Sequence, residues 1–194
     1  GDACAMLEKD TFMKNYSMKQ ILRLTLMLIL VWGCTKSELD RDITQPIAYN
    51  VPAEFQVYID SFLSAGQQRG IDSIAIDNLV VDWEAENENL VGHTCAVCYK
   101  AKEVDSLQKY IIIKPDCWNG LNDHLKEVVM FHELGHCYLN RSHKSGNMGN
   151  GYVKSIMNKT MSEPLWADTT SYRRAYYLDE LFDPDTDKPE WADQ

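Results

Sequence analysis

The sequence predicts an α+β fold in which a small mixed sheet packs on a backing helix and on a second helix that carries the candidate site. A third helix follows near the C-terminus. Two observations support this class: apolar residues recur at helical spacing in three segments, and three strand-like segments lie between the first two of them. The 194 residues, 45% hydrophobic and 25% charged, suit one ordinary globular domain.

The backing helix is predicted over residues 52–70. Phe55, Ile59 and Phe62 recur at three- and four-residue spacing and form an apolar stripe. Pro52 lies in the first turn and Gly70 closes the helix. We interpret the stripe as core packing.

The strands are predicted at residues 74–82, 93–100 and 110–114. The last contains the β-branched run Ile111–Ile113 and is stopped by Pro115. Polar connections separate the three strands.

The second helix is predicted to begin near Asn122 or Asp123, because either side chain can cap it. Its inward row passes through Val128 and Val129. His132 and His136 continue that row, since residues four apart on a helix differ by only about 40° of rotation. Both imidazoles are therefore expected to point inward, against the sheet.

The segment His132–His136 reads HELGH, an HExxH motif. Two imidazoles on one helix face can chelate a zinc ion, and an adjacent carboxylate can activate a zinc-bound water. Glu133 is rotated by about 100° from His132, so it can lean towards that water without occupying a coordination position. The motif predicts a zinc hydrolase with Glu133 as the catalytic general base.

A third histidine, His143, follows the motif, and three of the chain's five histidines fall within residues 132–143. The chain must turn to bring His143 back, and Asn140 is the expected pivot because Asn tolerates left-handed backbone geometry. Three histidine ligands leave a fourth zinc position for water, which is typical of catalytic sites. We therefore expect His132, His136 and His143 to bind Zn²⁺.

This span resembles the metzincin clan of zinc peptidases, whose signature is HExxHxxGxxH followed by a methionine turn. Ser155-Ile156-Met157 is similar to that turn. The HELGHC form also resembles metzincin-like lipoproteins of Bacteroidetes-type bacteria. The resemblance implies a zincin-like fold, endopeptidase activity on peptide or protein substrates, and Met157 as an apolar floor beneath the histidines. It further implies that the substrate binds as an extra strand along a sheet edge, for which residues 93–100 are the candidate.

The sequence departs from the clan in three places. Leu139 occupies the usual glycine position, and His143 comes one residue late. Many metzincins have a tyrosine two residues after the turn methionine, where this chain has Lys159. The residue that stabilises the oxyanion is therefore unassigned.

Three alternatives stay open. In gluzincins the third ligand is a glutamate on a later helix, and Glu180 lies in the predicted helix 172–182. His143 is favoured because a Glu180 ligand would leave Met157 unexplained. The chain could also be a surface lipoprotein that binds a partner and retains a non-catalytic zinc site, although such a site has no need of Glu133. The third alternative is a hydrolase of non-peptide amides.

The N-terminal region predicts export. Lys19 and Arg23 flank an apolar run at residues 24–32, which is too short to span a bilayer and reads as a secretory signal. The run ends at Gly33-Cys34, which resembles a bacterial lipobox with Cys34 as the lipid-attachment site. We divide the chain into an upstream and signal segment (1–33), a tether (34–50) and a peptidase domain (51–194). The protein is expected to face the periplasm or the cell surface as a membrane lipoprotein.

Cysteine content and charge limit the remaining possibilities. An even set, Cys95, Cys98, Cys117 and Cys137, in an exported domain predicts disulfides, with three connectivities open. The net charge of −10 argues against nucleic acid as a partner, because no basic stripe exists to neutralise phosphates. We expect a monomer that contacts the membrane only through its lipid.

Overall fold

The computed structural model describes residues 48–86, 94–100, 108–160 and 171–193. The predicted signal segment, Cys34 and the tether up to residue 47 lie outside the described residues. Among those described, no helix is both long enough and apolar enough to cross a membrane. The elements in chain order are α1 (Ala53–Gln67), β1 (Leu79–Trp83), β2 (Ala96–Lys100), β3 (Lys109–Ile113), α2 (Pro115–Asn119), α3 (Asp123–Tyr138), α4 (Ser171–Phe182) and a short 3-10 helix (Glu190–Asp193).

The three strands form a mixed sheet in the order β1-β3-β2. β1 runs parallel to β3, and β2 runs antiparallel to it. This arrangement confirms the predicted α+β class with a small mixed sheet. Among the described strands, β2 lies at an edge of the sheet.

Aromatic side chains of α1 join the helices into one core. Phe62 lies 5.1 Å from Phe182 of α4 and 5.4 Å from Phe131 of α3, measured between ring centroids. Phe55 lies 5.2 Å from Trp118 of α2 in an edge-on contact. The predicted stripe of α1 is therefore core packing, and α3 is held between the sheet and α1.

The predicted helix 52–70 is three residues shorter at its C-terminal end. Regular helix stops at Gln67, and Gly70 then adopts a φ of +75°, a left-handed conformation that glycine tolerates. Gly70 thus ends the turn that follows the helix and is not itself a helical residue.

The predicted strand bounds need correction. The strand predicted at 74–82 begins only at Leu79, because its partner β3 begins at Lys109, which pairs with Leu79. The carbonyl of Asn78, just before β1, accepts the Lys109 N–H at 2.9 Å and the side-chain amide of Gln108 at 2.6 Å. β3 is shifted by one residue from the predicted 110–114, and β2 begins at Ala96, while His93 lies outside the described residues.

Helix α2 was not predicted from the sequence. Pro115 ends β3 as predicted, but it also occupies the first turn of this short helix. Proline is common at that position because its fixed φ suits a helix and its missing N–H would have had no partner in the first turn. The signal was therefore present in the sequence.

Two disulfides connect the sheet to the helices. Cys95 pairs with Cys117 of α2, and Cys98 of β2 pairs with Cys137 of α3, with Cα–Cα distances of 5.2 and 5.9 Å. This is one of the three connectivities that the sequence left open. The second bond ties the edge strand directly to the helix that carries the HExxH motif.

Candidate metal centre

Local capping fixes both ends of α3. The Asn122 side chain accepts a hydrogen bond from the Leu125 N–H at 3.0 Å, which confirms the predicted N-terminal cap. At the other end Asn140 has a φ of 54°, and it is the only non-glycine residue with positive φ in the described part of the chain. The predicted pivot is confirmed, and the chain turns back there towards the helix.

The turn brings His143 to the two helical histidines. The Nε2 atoms of His132 and His136 lie 3.0 Å apart, and the Nε2 atom of His143 lies 3.2 Å from each of them. Compared with the metzincin pattern, the segment between His136 and His143 has one extra residue. The chain accommodates it between Asn140 and His143. The three residues could together hold one metal ion.

The other ring nitrogens of His132 and His136 show where the lone pairs of these two rings point. The Nδ1 of His132 donates to the Ile156 carbonyl at 2.8 Å, and the Nδ1 of His136 donates to the Arg141 carbonyl at 2.6 Å. A carbonyl only accepts, so each Nδ1 carries the proton and each neutral ring turns the lone pair of Nε2 towards the centre. Converging lone pairs repel one another unless a cation lies between them.

The spacing of the three nitrogens suits a small divalent metal ion. Tetrahedral ligands at the usual zinc–nitrogen distance of 2.0–2.1 Å would lie about 3.3–3.4 Å from one another. The observed separations of 3.0–3.2 Å are close to that value. The donor set therefore fits such an ion.

Burial keeps the two helical histidines neutral. It lowers the pKa of His132 to about 4, while the hydrogen bond to Ile156 acts in the opposite direction. Burial also lowers the pKa of His136 from its ordinary value. A metal ligand must be unprotonated, so both rings are in the required state at neutral pH.

Glu133 lies between α3 and the edge strand. Its side chain is 7% exposed, and its Oε2 accepts a hydrogen bond from the Cys98 N–H at 2.7 Å. Burial raises the pKa of Glu133 to about 7, and the Cys98 N–H partly offsets this. A carboxylate with a pKa near the working pH is suited to take up and release a proton.

Met157 packs against α3 at Gly135, which lies between His132 and His136 in the sequence. Its side chain is fully buried, and a Cβ on Gly135 would lie 2.8 Å from the Met157 Sδ and 3.0 Å from the Leu181 Cδ1. Only glycine at position 135 allows the methionine this close to the helix. The backbone next to Met157 also orients the site, because the Ile156 carbonyl holds His132.

Glu180, the alternative third ligand, is not brought to the histidines. Its carboxylate is fully buried, with Oε1 lying 2.5 Å from the Arg141 Nη2 and 3.1 Å from the Lys144 Nζ. Ser155 donates its hydroxyl to Oε2 and accepts the Met157 N–H at 2.9 Å. Glu180 therefore connects Arg141 and Lys144, which precede and follow His143 in the sequence, to the turn that carries Met157.

Sequence reasoning missed this role of Glu180 and its three partners. Two cations flank His143, and a serine lies two residues before Met157, so part of the signal was visible. The carboxylate that joins them lies 39 residues from Arg141 and 25 residues from Ser155. No short-range pattern could have selected it among the acidic residues of the chain.

Comparisons of the chain with protein-family models, with curated proteins and with solved structures find no match.

Replacing Gly135 with Ala tests the packing beneath the site. Helix propensity alone predicts a gain of about 1 kcal/mol. We expect the opposite sign, because overpacking a filled core costs about 1–3 kcal/mol and Met157 would have to move. Thermal or urea unfolding with a zinc titration should show lower stability and weaker metal binding. Gly120→Ala is the matched control, since its Cβ would meet its nearest neighbour at an ordinary 3.5 Å. A more stable Gly135→Ala protein would contradict this packing.

Replacing Glu180 with Gln tests its role in positioning His143. Breaking a buried ion pair costs about 3–5 kcal/mol, because Arg141 would keep an uncompensated charge. We expect that loss in urea unfolding, together with a fall in zinc affinity of about 10–100-fold in the folded fraction. The neighbouring substitution Asp179→Asn removes an exposed pair with Arg69 and should cost about 0–1 kcal/mol. Equal effects of the two substitutions would contradict the assignment.

Proposed function

We propose that this protein is a zinc-dependent peptidase in which His132, His136 and His143 hold Zn²⁺ and Glu133 is the general base. The observation that carries the proposal is the convergence of three imidazole Nε2 atoms, together with a buried carboxylate on the helix that carries two of them. Zinc is favoured because it prefers nitrogen donors in open catalytic sites, and the four cysteines of the domain are engaged in disulfides.

Glu133 is proposed to carry the proton transfers of the reaction. When bound, zinc supplies an acidified water and polarises the scissile carbonyl. Glu133 takes the proton of the attacking water and later delivers it to the leaving amine. The Cys98 N–H fixes Oε2 of that carboxylate, and no second donor among the described residues contacts Oε1, which is therefore the atom proposed to take the proton.

The edge strand supports a peptide as the substrate. The Cys98 N–H points away from β3 towards Glu133. Backbone groups of a strand alternate in direction, so Ala96 and Lys100 also turn their N–H and carbonyl groups away from β3, where the Ala96 carbonyl accepts the Thr94 hydroxyl at 2.9 Å. An extended peptide could pair with this edge and pass directly beside the metal centre. The exposed His143 lies on the open side of the centre.

Glu133→Gln is the direct test of mechanism. We expect zinc content near that of the wild type by elemental analysis, because the three imidazoles are intact. Turnover should fall by about 10²–10⁴-fold, the usual contribution of a general base. Cleavage is measured on a degenerate peptide library, with and without a chelator. Glu127→Gln is the matched control on the same helix, where the glutamate pairs with Arg174 instead of facing the centre.

The outcomes separate the candidate functions. Undiminished cleavage by Glu133→Gln would contradict the general-base role. Bound zinc without peptide cleavage in the wild type would favour a binding lipoprotein, and activity restricted to small amides would favour a non-peptide amide hydrolase. Absence of bound metal would contradict the proposal as a whole.

We further propose that the domain is exported and anchored by a lipid on Cys34. The two disulfides support export, because such bonds persist in oxidising compartments. The anchor rests on the lipobox-like sequence before Cys34. Metabolic labelling with a palmitate analogue in a bacterial host should mark the wild-type chain and not Cys34→Ser. Equal labelling of both chains, or of neither, would contradict the anchor.

A further inference from the structure

Two lysines lie side by side near the metal centre. Lys100 and Lys109 are cross-strand partners on β2 and β3. Directly opposite side chains share one face of a sheet with Cβ atoms about 4.5–5.5 Å apart, and like charges in that position destabilise the pair. The chain has 29 acidic residues and 19 basic ones, so an excess of basic residues does not explain why two lysines face each other here.

Neither ammonium group forms a salt bridge with a carboxylate among the described residues. The Lys100 Nζ donates to the Asn140 Oδ1 at 2.9 Å, and the Lys109 Nζ lies 3.7 Å from the ring centroid of Tyr138. In contrast, carboxylate partners lie within 3.1 Å of Arg69, Arg141, Lys144, Arg174 and Lys188.

The strand geometry places both lysines on the same side of the sheet as the metal centre. Side chains two apart on a strand share a face, so Lys100 lies on the face of Cys98, which is bonded to Cys137 of α3. The contact with Asn140 then sets the Lys100 ammonium over the end of α3, just beyond His136. Tyr138, beneath Lys109, belongs to the same end of that helix.

The charges of the two lysines act on each other. The pKa of Lys109 is lowered by burial and, in second place, by the charge of Lys100, while the charge of Asp77 acts in the opposite direction. An anion placed beside these groups would relieve this repulsion.

We propose that Lys100 and Lys109, together with the side-chain amide of Asn140, form an anion subsite that binds a carboxylate of the peptide substrate. The inference rests on the proposed peptidase function and adds a specificity to it. A peptide paired with the open edge of β2 would pass Cys98 and then Lys100. The carboxylate would come from an acidic side chain or from the C-terminus of the peptide.

Matched hydroxamates test the subsite without catalysis. The probes are alkyl hydroxamates of increasing length that end in a carboxylate or in the corresponding carboxamide, titrated into the zinc-loaded protein. The hydroxamate anchors each probe at the metal, so the pair differs only in charge at the far end. At the best length we expect the carboxylate to bind about tenfold tighter, as for a charge-assisted hydrogen bond. Lys100→Met and Lys109→Met should each remove most of this preference.

Lys126→Met is the matched control. Its ammonium lies over Trp118, 5.6 Å from the ring centroid, and so contacts a different element from the two lysines of the subsite. The carboxylate preference should survive this substitution. Hydroxamate binding without any carboxylate preference would overturn the subsite and leave the proposed function intact. A preference that survives both Lys100→Met and Lys109→Met would overturn it as well. Absence of zinc or of hydroxamate binding would overturn the proposed function and the subsite together.

Peptide pairs then identify the source of the carboxylate. One pair exchanges Glu for Gln at each position near the scissile bond, and the other exchanges a free C-terminus for an amide. A difference in kcat/KM of about tenfold in the first pair assigns the subsite to an acidic side chain, and in the second pair to a chain terminus. No difference in either pair would overturn the assignment to a peptide carboxylate.

Discussion

The convergence of three imidazole nitrogens is the constraint on which the rest of the site depends. The Nε2 lone pairs of His132 and His136 face each other at 3.0 Å because backbone carbonyls accept the opposite N–H groups of these rings, and the Nε2 atom of His143 lies 3.2 Å from each. Such an arrangement is unfavourable by itself and favourable around a cation. The surrounding helix, turn and buried charges hold it in place.

The buried carboxylate of Glu180 supports this constraint from a distance. It contacts Arg141 and Lys144 on either side of His143, and Ser155 in the turn before Met157. Burying a charge is costly unless it is paired and hydrogen-bonded, so the cluster is stable only when the loop and the turn are both correctly placed. The disulfide between Cys98 and Cys137 acts similarly on the other side, where it fixes the strand whose N–H holds Glu133.

The parts of the site that follow from local sequence patterns were predictable, and those set by distant contacts were not. Helical spacing placed His132 and His136 on one face, and the tolerance of Asn for positive φ identified Asn140 as the pivot. The disulfide pairing and the cluster around Glu180 depend on how the strands and helices meet, which no short window records. The start of β1 at Leu79 has the same origin, because it is set by the partner strand β3, which begins at Lys109.

The central claim is that three imidazoles bind one metal ion through Nε2. X-ray absorption at the zinc edge of the loaded full-length protein measures this most directly. We predict that zinc has three imidazole nitrogens at about 2.0–2.1 Å and one oxygen as ligands, and one imidazole fewer in His143→Ala. Binding of one metal ion by the three imidazoles would be contradicted by a sulfur ligand or by only two imidazole ligands in the wild type. It would also be contradicted if the zinc ligands were unchanged in His143→Ala.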